Sequence, residues 1–179
     1  MIALGIDPDT KDCAVAAWNV NGPFAAQVIH VIRRKTKRQS QVRMAAALAG
    51  TDPDPDLSGL NVTTIAIEGQ QIDKRLARSK DLFTLAHVTG SAISWCTEWW
   101  GMAEILVPTP YEWKRGVAKH AHQARLYHEL DWGYTIVGNG TNKYARPLNI
   151  PIRFRHITDG QWKHVGDALL LARWAYEQA

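Results

Sequence analysis

The sequence lacks the features that mark secreted, membrane-spanning and repetitive proteins. Cysteine occurs only at Cys13 and Cys96, each in an apolar segment, which favours packed thiols in a reducing cytoplasm over a disulfide framework. No apolar run approaches about 18 residues, so no membrane span is expected. The first residues do not combine a basic segment with an apolar one, so no signal peptide is expected. Internal repeats, low-complexity tracts and a glycine-rich phosphate loop are also absent from the sequence.

The residues that are present suffice for a substantial core. Hydrophobic residues make up 46% of the 179 positions, and a chain of this length is most simply one domain, residues 1–179. The charge is modestly basic, with 21 Lys and Arg against 17 Asp and Glu. The basic residues are clustered in the run 33–38 and in a second group, Lys74, Arg75, Arg78 and Lys80. Such clusters are ordinary on solvated surfaces, and a phosphate-binding face also needs them.

The apolar pattern predicts a mixed α/β fold. The predicted strands are Ile2–Asp7, Cys13–Val20, Phe24–Ile32, Val62–Glu68 and Ala103–Val107. The predicted helices are Gln39–Ala49, Leu82–Trp100, Tyr111–Val117, Ala121–Leu130 and Gln161–Gln178. Because the first and fourth strands are apolar throughout, the sheet needs helices on both faces. Within residues 131–160 the pattern is unclear, and "GYTIVGNGT" and "IPIRFRHIT" are candidates for a hairpin inserted into the domain.

Two of the buried strands end in a carboxylate. Asp7 ends the first strand and Glu68 ends the fourth. Asp7 precedes a proline, and Asp-Pro is an ordinary start of a turn, but this chemistry explains the glutamate less well. The carboxyl ends of parallel strands open into one crevice. If the two strands are parallel neighbours, Asp7 and Glu68 face the same crevice.

The last helix adds two more candidate ligands. Asp167 stands just before an apolar run, and His164 lies one turn earlier on the same helix face. Alternative interpretations are a favourable charge near a helix N-terminus for Asp167 and a surface residue for His164. Gly166 costs about 1 kcal/mol relative to alanine in a helix, so it is either tolerated or needed for close approach. Three carboxylates and an imidazole at strand and helix ends predict a site for Mg²⁺ or Mn²⁺.

Three stretches in this order, "GIDPDT", "IAIEGQ" and "HVGDALLLA", resemble the motifs of RuvC-type Holliday junction resolvases in the ribonuclease H-like nuclease superfamily. The resemblance covers most of the chain and is weakest in residues 131–160. It implies an α/β fold with a ribonuclease H-like mixed five-stranded sheet and helices on both faces. It also implies a metal-dependent endonuclease that resolves four-way DNA junctions by symmetric paired nicks. The implied catalytic metal ligands are Asp7, Glu68, His164 and Asp167, with two Mg²⁺ ions per site and Mn²⁺ tolerated.

The resemblance further implies DNA contacts and a homodimer. The stretch "PYEWKRGVAK" resembles a segment with a DNA-contacting lysine, here Lys114, and the following helix carries a second basic contact, here Arg125. The implied DNA-binding residues are Gln71, Ile72, Lys74, Arg75, Arg78, Lys114 and Arg125. The helix Leu82–Trp100 resembles the dimer helix of the family, and its tryptophans exceed what one core face needs. A homodimer also suits two symmetric nicks in a two-fold junction.

The sequence departs from the family at two positions. The first motif usually has glycine where this chain has Asp9, which tightens the turn or adds a carboxylate near the metals. The family often has an aromatic residue that stacks at the junction crossover, and here that position is Gln71, followed by Ile72.

Several functions remain open on the sequence alone. A ribonuclease H or another branched-DNA nuclease shares the same fold, which does not choose the substrate. A non-catalytic junction binder is a further alternative. An actin-like nucleotide-binding protein also begins with an Asp-tipped hairpin, but the chain is short for its paired domains. The expected location is the cytoplasm of a bacterial or phage-infected cell.

Overall fold

A computed structural model describes residues 1–9, 11–31, 37–69 and 79–179, with the side chains of 37–41, 79–85 and 141 left out of the description. The strands in these ranges are β1 (Ala3–Asp7), β2 (Asp12–Asn19), β3 (Gly22–His30), β4 (Thr64–Ile67), β5 (Glu104–Leu106), β6 (Tyr134–Val137) and β7 (Tyr144–Pro147). The α-helices are α1 (Lys37–Ala49), α2 (Pro55–Ser58), α3 (Ser79–Trp100), α4 (Pro110–Lys114), α5 (Lys119–Glu129) and α6 (Trp162–Gln178).

Five of the strands form one mixed sheet in the order β3-β2-β1-β4-β5. Strands β1, β2 and β3 pair as antiparallel neighbours, whereas β4 runs parallel to both β1 and β5. The predicted mixed α/β sheet is confirmed, as is the parallel pairing of the first and fourth strands. As a result, β1 and β4 end at the same edge of the sheet.

The two faces of the sheet pack against different helices. Leu4 and Ile6 of β1 lie in one apolar cluster with Met44 of α1 and Trp95 of α3. The alternate residues of the sheet are small and face α6, for example Ala3 of β1, which packs in a cluster with residues of α6. Because side chains alternate along a strand, Asp7 has the same orientation as Ala3 and points to the α6 side.

Residues 131–160 contain a short hairpin beside the main sheet. Strands β6 and β7 pair antiparallel, from Tyr134 opposite Pro147 to Val137 opposite Tyr144. The partner strand β7 therefore ends before the "IPIRFRHIT" segment that was predicted to form it. Within that segment Ile152–Phe154 instead forms a 3₁₀ turn. Pro151 at the start of that segment has no N–H to donate to a strand ladder, which disfavours the predicted pairing.

In the part of the chain that the structure describes, no helix is both long enough and apolar enough to span a membrane.

Candidate metal centre

The carboxyl ends of β1 and β4 bring two acidic side chains together. Asp7 is the last residue of β1 and is 5% exposed. Glu68 directly follows β4, and its backbone N–H donates to the carbonyl of Ile6 at 2.9 Å. The parallel ladder therefore continues to the position of Glu68 and sets its side chain beside that of Asp7.

Helix α6 supplies a third carboxylate through an unusually close packing of helix on strand. A Cβ on Gly5 would lie 2.0 Å from the carbonyl oxygen of Ala168 and 2.2 Å from the nitrogen of Ala172. Only glycine fits this contact, which draws the backbone of α6 down onto β1. Asp167 precedes Ala168 and is 1% exposed, so the close packing carries its carboxylate to the end of β1.

Gly166 has the same role on the other side of α6. A Cβ at this position would lie 2.5 Å from the hydroxyl of Tyr127 and 2.8 Å from Nε2 of Gln123, both on α5. Glycine at 166 therefore leaves room for two buried side chains of α5, which favours close approach over mere tolerance.

Carboxylate oxygens of Asp7, Glu68 and Asp167 all lie within 4.8 Å of one another. An octahedral Mg²⁺ holds its ligand oxygens at about 2.1 Å, and therefore up to about 4.2 Å apart. Hard oxygen donors from carboxylates are the ligands that Mg²⁺ and Mn²⁺ prefer. The donor set and its spacing fit a divalent cation.

Two lysines donate hydrogen bonds to these carboxylates. Lys114 Nζ donates to Glu68 Oε1 at 2.8 Å and to Asp167 Oδ2 at 3.4 Å. Lys119 Nζ donates to Asp167 Oδ2 at 2.6 Å. A bound cation would compete with both ammonium groups for the same oxygens, and the lysines would then be available to a phosphate.

The amide of Gln123 fixes Asp167 from within the core. Gln123 is fully buried, and its Nε2 donates to Asp167 Oδ1 at 2.8 Å and to the carbonyl of Lys163 at 3.2 Å. Its Oε1 accepts from the backbone N–H of Ala145 in β7 at 3.0 Å. Because both polar atoms of this buried amide are hydrogen-bonded, Asp167 is held in one orientation and is linked to the hairpin.

The two strand-end carboxyls have pKa values displaced in opposite directions. Burial alone would raise the pKa of Asp7, but the hydrogen bond from His164 and the charges of Lys119 and His164 hold it well below its ordinary value. Burial, followed by the negative charge of Asp7, raises the pKa of Glu68 to about 7, against the opposing effect of Lys114. At neutral pH the Asp7 carboxyl is therefore ionised, whereas the Glu68 carboxyl is ionised only in part. A bound cation would favour the ionised form of both.

His164 lies against two aspartates at the edge of this cluster. Its Nδ1 is in hydrogen-bond contact with Asp7 Oδ2 at 2.8 Å, and its Nε2 lies 3.6 Å from Asp9 Oδ2. Burial alone would lower the pKa of His164, but the contacts with Asp7 raise it above the ordinary value. Among the described residues, the group of three mutually close carboxylates does not include His164.

Of the seven residues predicted to contact DNA, only Lys114 and Arg125 lie among the described residues. Lys114 lies in the cluster, whereas the Arg125 side chain is 79% exposed and pairs with Glu129 at 2.9 Å. A DNA contact by Arg125 stays a prediction. Gln71, Ile72, Lys74, Arg75 and Arg78 lie outside the described residues.

Sequence analysis missed Lys119 and Gln123. Both are on α5 and four residues apart, so they share one helix face. Arg125 follows Gln123 by two residues and consequently faces another direction. The signal available in the sequence was a lysine and a glutamine one helical turn apart. The same pair also occurs on exposed helices, so it does not indicate a buried site.

Comparisons with known proteins place the fold. No family model and no curated protein matches the chain. Among solved structures, RuvC of Thermus thermophilus in complex with a Holliday junction substrate is similar, with a TM-score of 0.58 and 15% sequence identity. That match covers 96% of this chain and 90% of the other. A second structure of Thermus thermophilus RuvC matches with a TM-score of 0.57 and 15% identity, over 96% of this chain and 91% of the other.

The observed architecture agrees with the one that the sequence motifs imply. The agreement includes the strand order, the parallel pairing of β1 with β4 and the position of α6. The chain accordingly has the ribonuclease H-like α/β fold of RuvC-type resolvases.

Proposed function

We propose that the chain is a metal-dependent endonuclease that resolves four-way DNA junctions by symmetric paired nicks. The observation that carries this proposal is the convergence of Asp7, Glu68 and Asp167 within 4.8 Å at one sheet edge. The fold that holds them is similar, over nearly the whole chain, to a RuvC that was solved with a Holliday junction substrate.

In this proposal the three carboxylates and His164 hold two Mg²⁺ ions, with Mn²⁺ tolerated. Divalent ions bound there would supply the charge that stabilises the attacking and leaving oxygens and helps to ionise the attacking water. Asp7 is the best candidate for a shared ligand because its pKa stays low and its position is fixed by β1. Lys114 and Lys119, which lie on the same carboxylates, would then donate to the oxygens of the phosphodiester and position the strand.

The test is a cleavage assay with three substrates and Mg²⁺: a synthetic four-way junction, a plain DNA duplex and an RNA–DNA hybrid. We expect paired nicks in the junction at symmetric positions and no cleavage of the duplex. Preferred cleavage of the hybrid would favour a ribonuclease H instead. Tight binding of the junction without cleavage, in Mg²⁺ and in Mn²⁺, would indicate a non-catalytic junction binder. An unchanged melting temperature with added nucleotides would dispose of the actin-like alternative.

The proposed enzyme is a homodimer with α3 at its interface, but two of the tryptophans of α3 pack within the protein's own core. Trp95 and Trp100 are 2% and 5% exposed and contact each other edge to face within the protein's own core. The indole N–H of Trp95 also donates to the carbonyl of Thr51 at 2.8 Å. What supports a dimer is the symmetry of two nicks in a two-fold junction.

An exposed glycine on α3 gives a direct test of this dimer. A Cβ on Gly90 would meet nothing within 4 Å, so the monomer has room for Gly90→Arg. If α3 forms the interface, this change should convert a dimer into a monomer in light scattering at micromolar concentration. The control is Gly59→Arg, at an equally open position in the turn after α2. A parental protein that is monomeric both free and on a junction would contradict the dimer.

The two cysteines suit the proposed location in the cytoplasm of a bacterial or phage-infected cell. Cys13 and Cys96 are both buried and free, and unpaired thiols are usual where the compartment is reducing.

A further inference from the structure

Asp9 lies in the loop between β1 and β2, two residues beyond Asp7, and faces the imidazole of His164. Its Oδ2 is 3.6 Å from Nε2, whereas Asp7 Oδ2 is 2.8 Å from Nδ1. The two ring nitrogens point away from each other, so the ring stands between the two carboxylates.

The imidazole has little freedom between these partners. The His164 side chain is 9% exposed, and its backbone N–H donates to the carbonyl of Gln161 at 2.9 Å in the first turn of α6. The helix thus fixes the backbone, the hydrogen-bond contact with Asp7 restrains one side of the ring, and Asp9 lies at ion-pair distance from the other side.

The 2.8 Å separation between Nδ1 and Asp7 Oδ2 suits two functions. It is a hydrogen bond when Nδ1 carries a proton. Two adjacent ligands of an octahedral cation, each at about 2.1 Å from it, lie about 3 Å apart, so the same pair of atoms also forms a coordination edge. A histidine that binds a metal usually donates its other ring N–H to a carboxylate, which fixes the tautomer and orients the ring.

We infer that Asp9 is a positioning residue that holds the Nε2–H of His164 and thereby presents Nδ1 to a cation shared with Asp7. This inference rests on the proposed function. Asp9 acts through the ring and is not a ligand itself, because its carboxylate lies at the nitrogen opposite to the one that faces Asp7.

The experiment measures Mn²⁺ binding by calorimetry at pH 7.5 for the parental chain, Asp9→Asn, His164→Gln and the double variant. Asparagine keeps the capacity of Asp9 to form a turn but lacks the charge that holds Nε2–H. We expect Asp9→Asn to weaken Mn²⁺ binding by about tenfold, as for other carboxylates behind a metal-binding histidine. We expect no further loss when Asp9→Asn is added to His164→Gln. The matched control is Asp52→Asn, at an exposed position in the loop after α1.

The outcomes separate this inference from the proposed function. Parental affinity in Asp9→Asn would reduce Asp9 to a turn residue and overturn the inference alone. A tenfold loss that persists in the His164→Gln background would make Asp9 a direct ligand and would overturn it as well. If the parental chain binds Mn²⁺ no better than Asp7→Asn, both the inference and the proposed metal centre fail.

A second readout reports on the ring itself and does not depend on activity. With ¹⁵N-labelled histidine and Mg²⁺, NMR of the parental chain should show the His164 ring protonated at Nε2 only. The signal is assigned by its absence in His164→Gln. In Asp9→Asn the ring should lose this preference for one tautomer, and an unchanged Nε2–H signal would contradict the positioning role.

Discussion

One face of the central sheet carries large aliphatic side chains, whereas the other carries alanine and glycine. Leu4, Ile6 and Ile65 are fully buried on the first face, against α1 and α3. On the second face, Gly5 and Ala66 alternate with them along β1 and β4 and lie on the side of α6. Both faces are buried, and among the described residues the acidic cluster lies at the end of the second one.

The difference shows how a buried apolar sheet can position an acidic cluster. Large side chains of the first face pack against α1 and α3, and such cores accept changes that conserve volume. Small side chains let α6 approach until its backbone touches Gly5, and this contact fixes Asp167 relative to Asp7. The aliphatic face therefore contributes mainly stability, and the small-residue face contributes the geometry of the site.

The largest expected effect is the loss of a strand-end carboxylate. Asp7→Asn should lower junction cleavage by about 1,000-fold or more, because a metal contributes several kcal/mol to the transition state and each 1.4 kcal/mol is tenfold in rate. Junction binding, measured by fluorescence anisotropy in Ca²⁺, should stay within about threefold of the parent, since the basic residues proposed to contact phosphates are unchanged. Substantial cleavage by Asp7→Asn would end the assignment of this cluster as the catalytic centre.

The second prediction compares the two faces directly. Gly5→Ala places a methyl group against backbone atoms of α6 and should cost about 3 kcal/mol, the upper range for overpacking. Because α6 must move, Mn²⁺ affinity should fall as well. Leu4→Ala, its neighbour on the opposite face, should cost about 2–5 kcal/mol through a cavity but keep parental Mn²⁺ affinity in the folded protein. Urea unfolding and calorimetry measure the two quantities, and equal losses of Mn²⁺ affinity would refute the division of roles.

The sequence predicted the sheet better than the cluster at its end. Apolar strands with clear turns between them specify pairing, and the carboxylates at Asp7 and Glu68 stand out because they end such strands. Lys119 and Gln123 were not recognised, since a buried polar pair on a helix has the same spacing as an exposed one. Trp95 and Trp100 of α3 pack in the core, and the sequence could not distinguish this from an interface because large apolar residues look alike in both.

The third prediction uses the raised pKa of Glu68. An acid whose pKa rises from 4.5 to about 7 on folding stabilises the fold below pH 4.5 relative to higher pH, and this stability is lost as the pH rises through 7. In EDTA, Glu68→Gln should therefore match the parent near pH 4.5 and exceed its free energy of unfolding by about 3 kcal/mol at pH 8. Adding Mg²⁺ at pH 8 should raise the parental melting temperature and leave Glu68→Gln nearly unchanged. A parental stability in EDTA that is independent of pH between 5 and 8 would contradict the shift.

The smallest expected effect concerns Arg125, which lies outside the acidic cluster. Its exposed pair with Glu129 is of a kind that contributes only about 0.3–0.5 kcal/mol, so Arg125→Ala should leave the free energy of unfolding and the Mn²⁺ affinity almost unchanged. If Arg125 contacts a phosphate of a duplex arm, the slope of log affinity against log salt should become shallower by about 0.9. The comparison is Arg155→Ala, which removes another exposed arginine, one that follows a 3₁₀ turn. The same slope in the parent, Arg125→Ala and Arg155→Ala would remove Arg125 from the DNA-binding surface and leave Lys114 and Lys119 as the contacts from this side of the cluster.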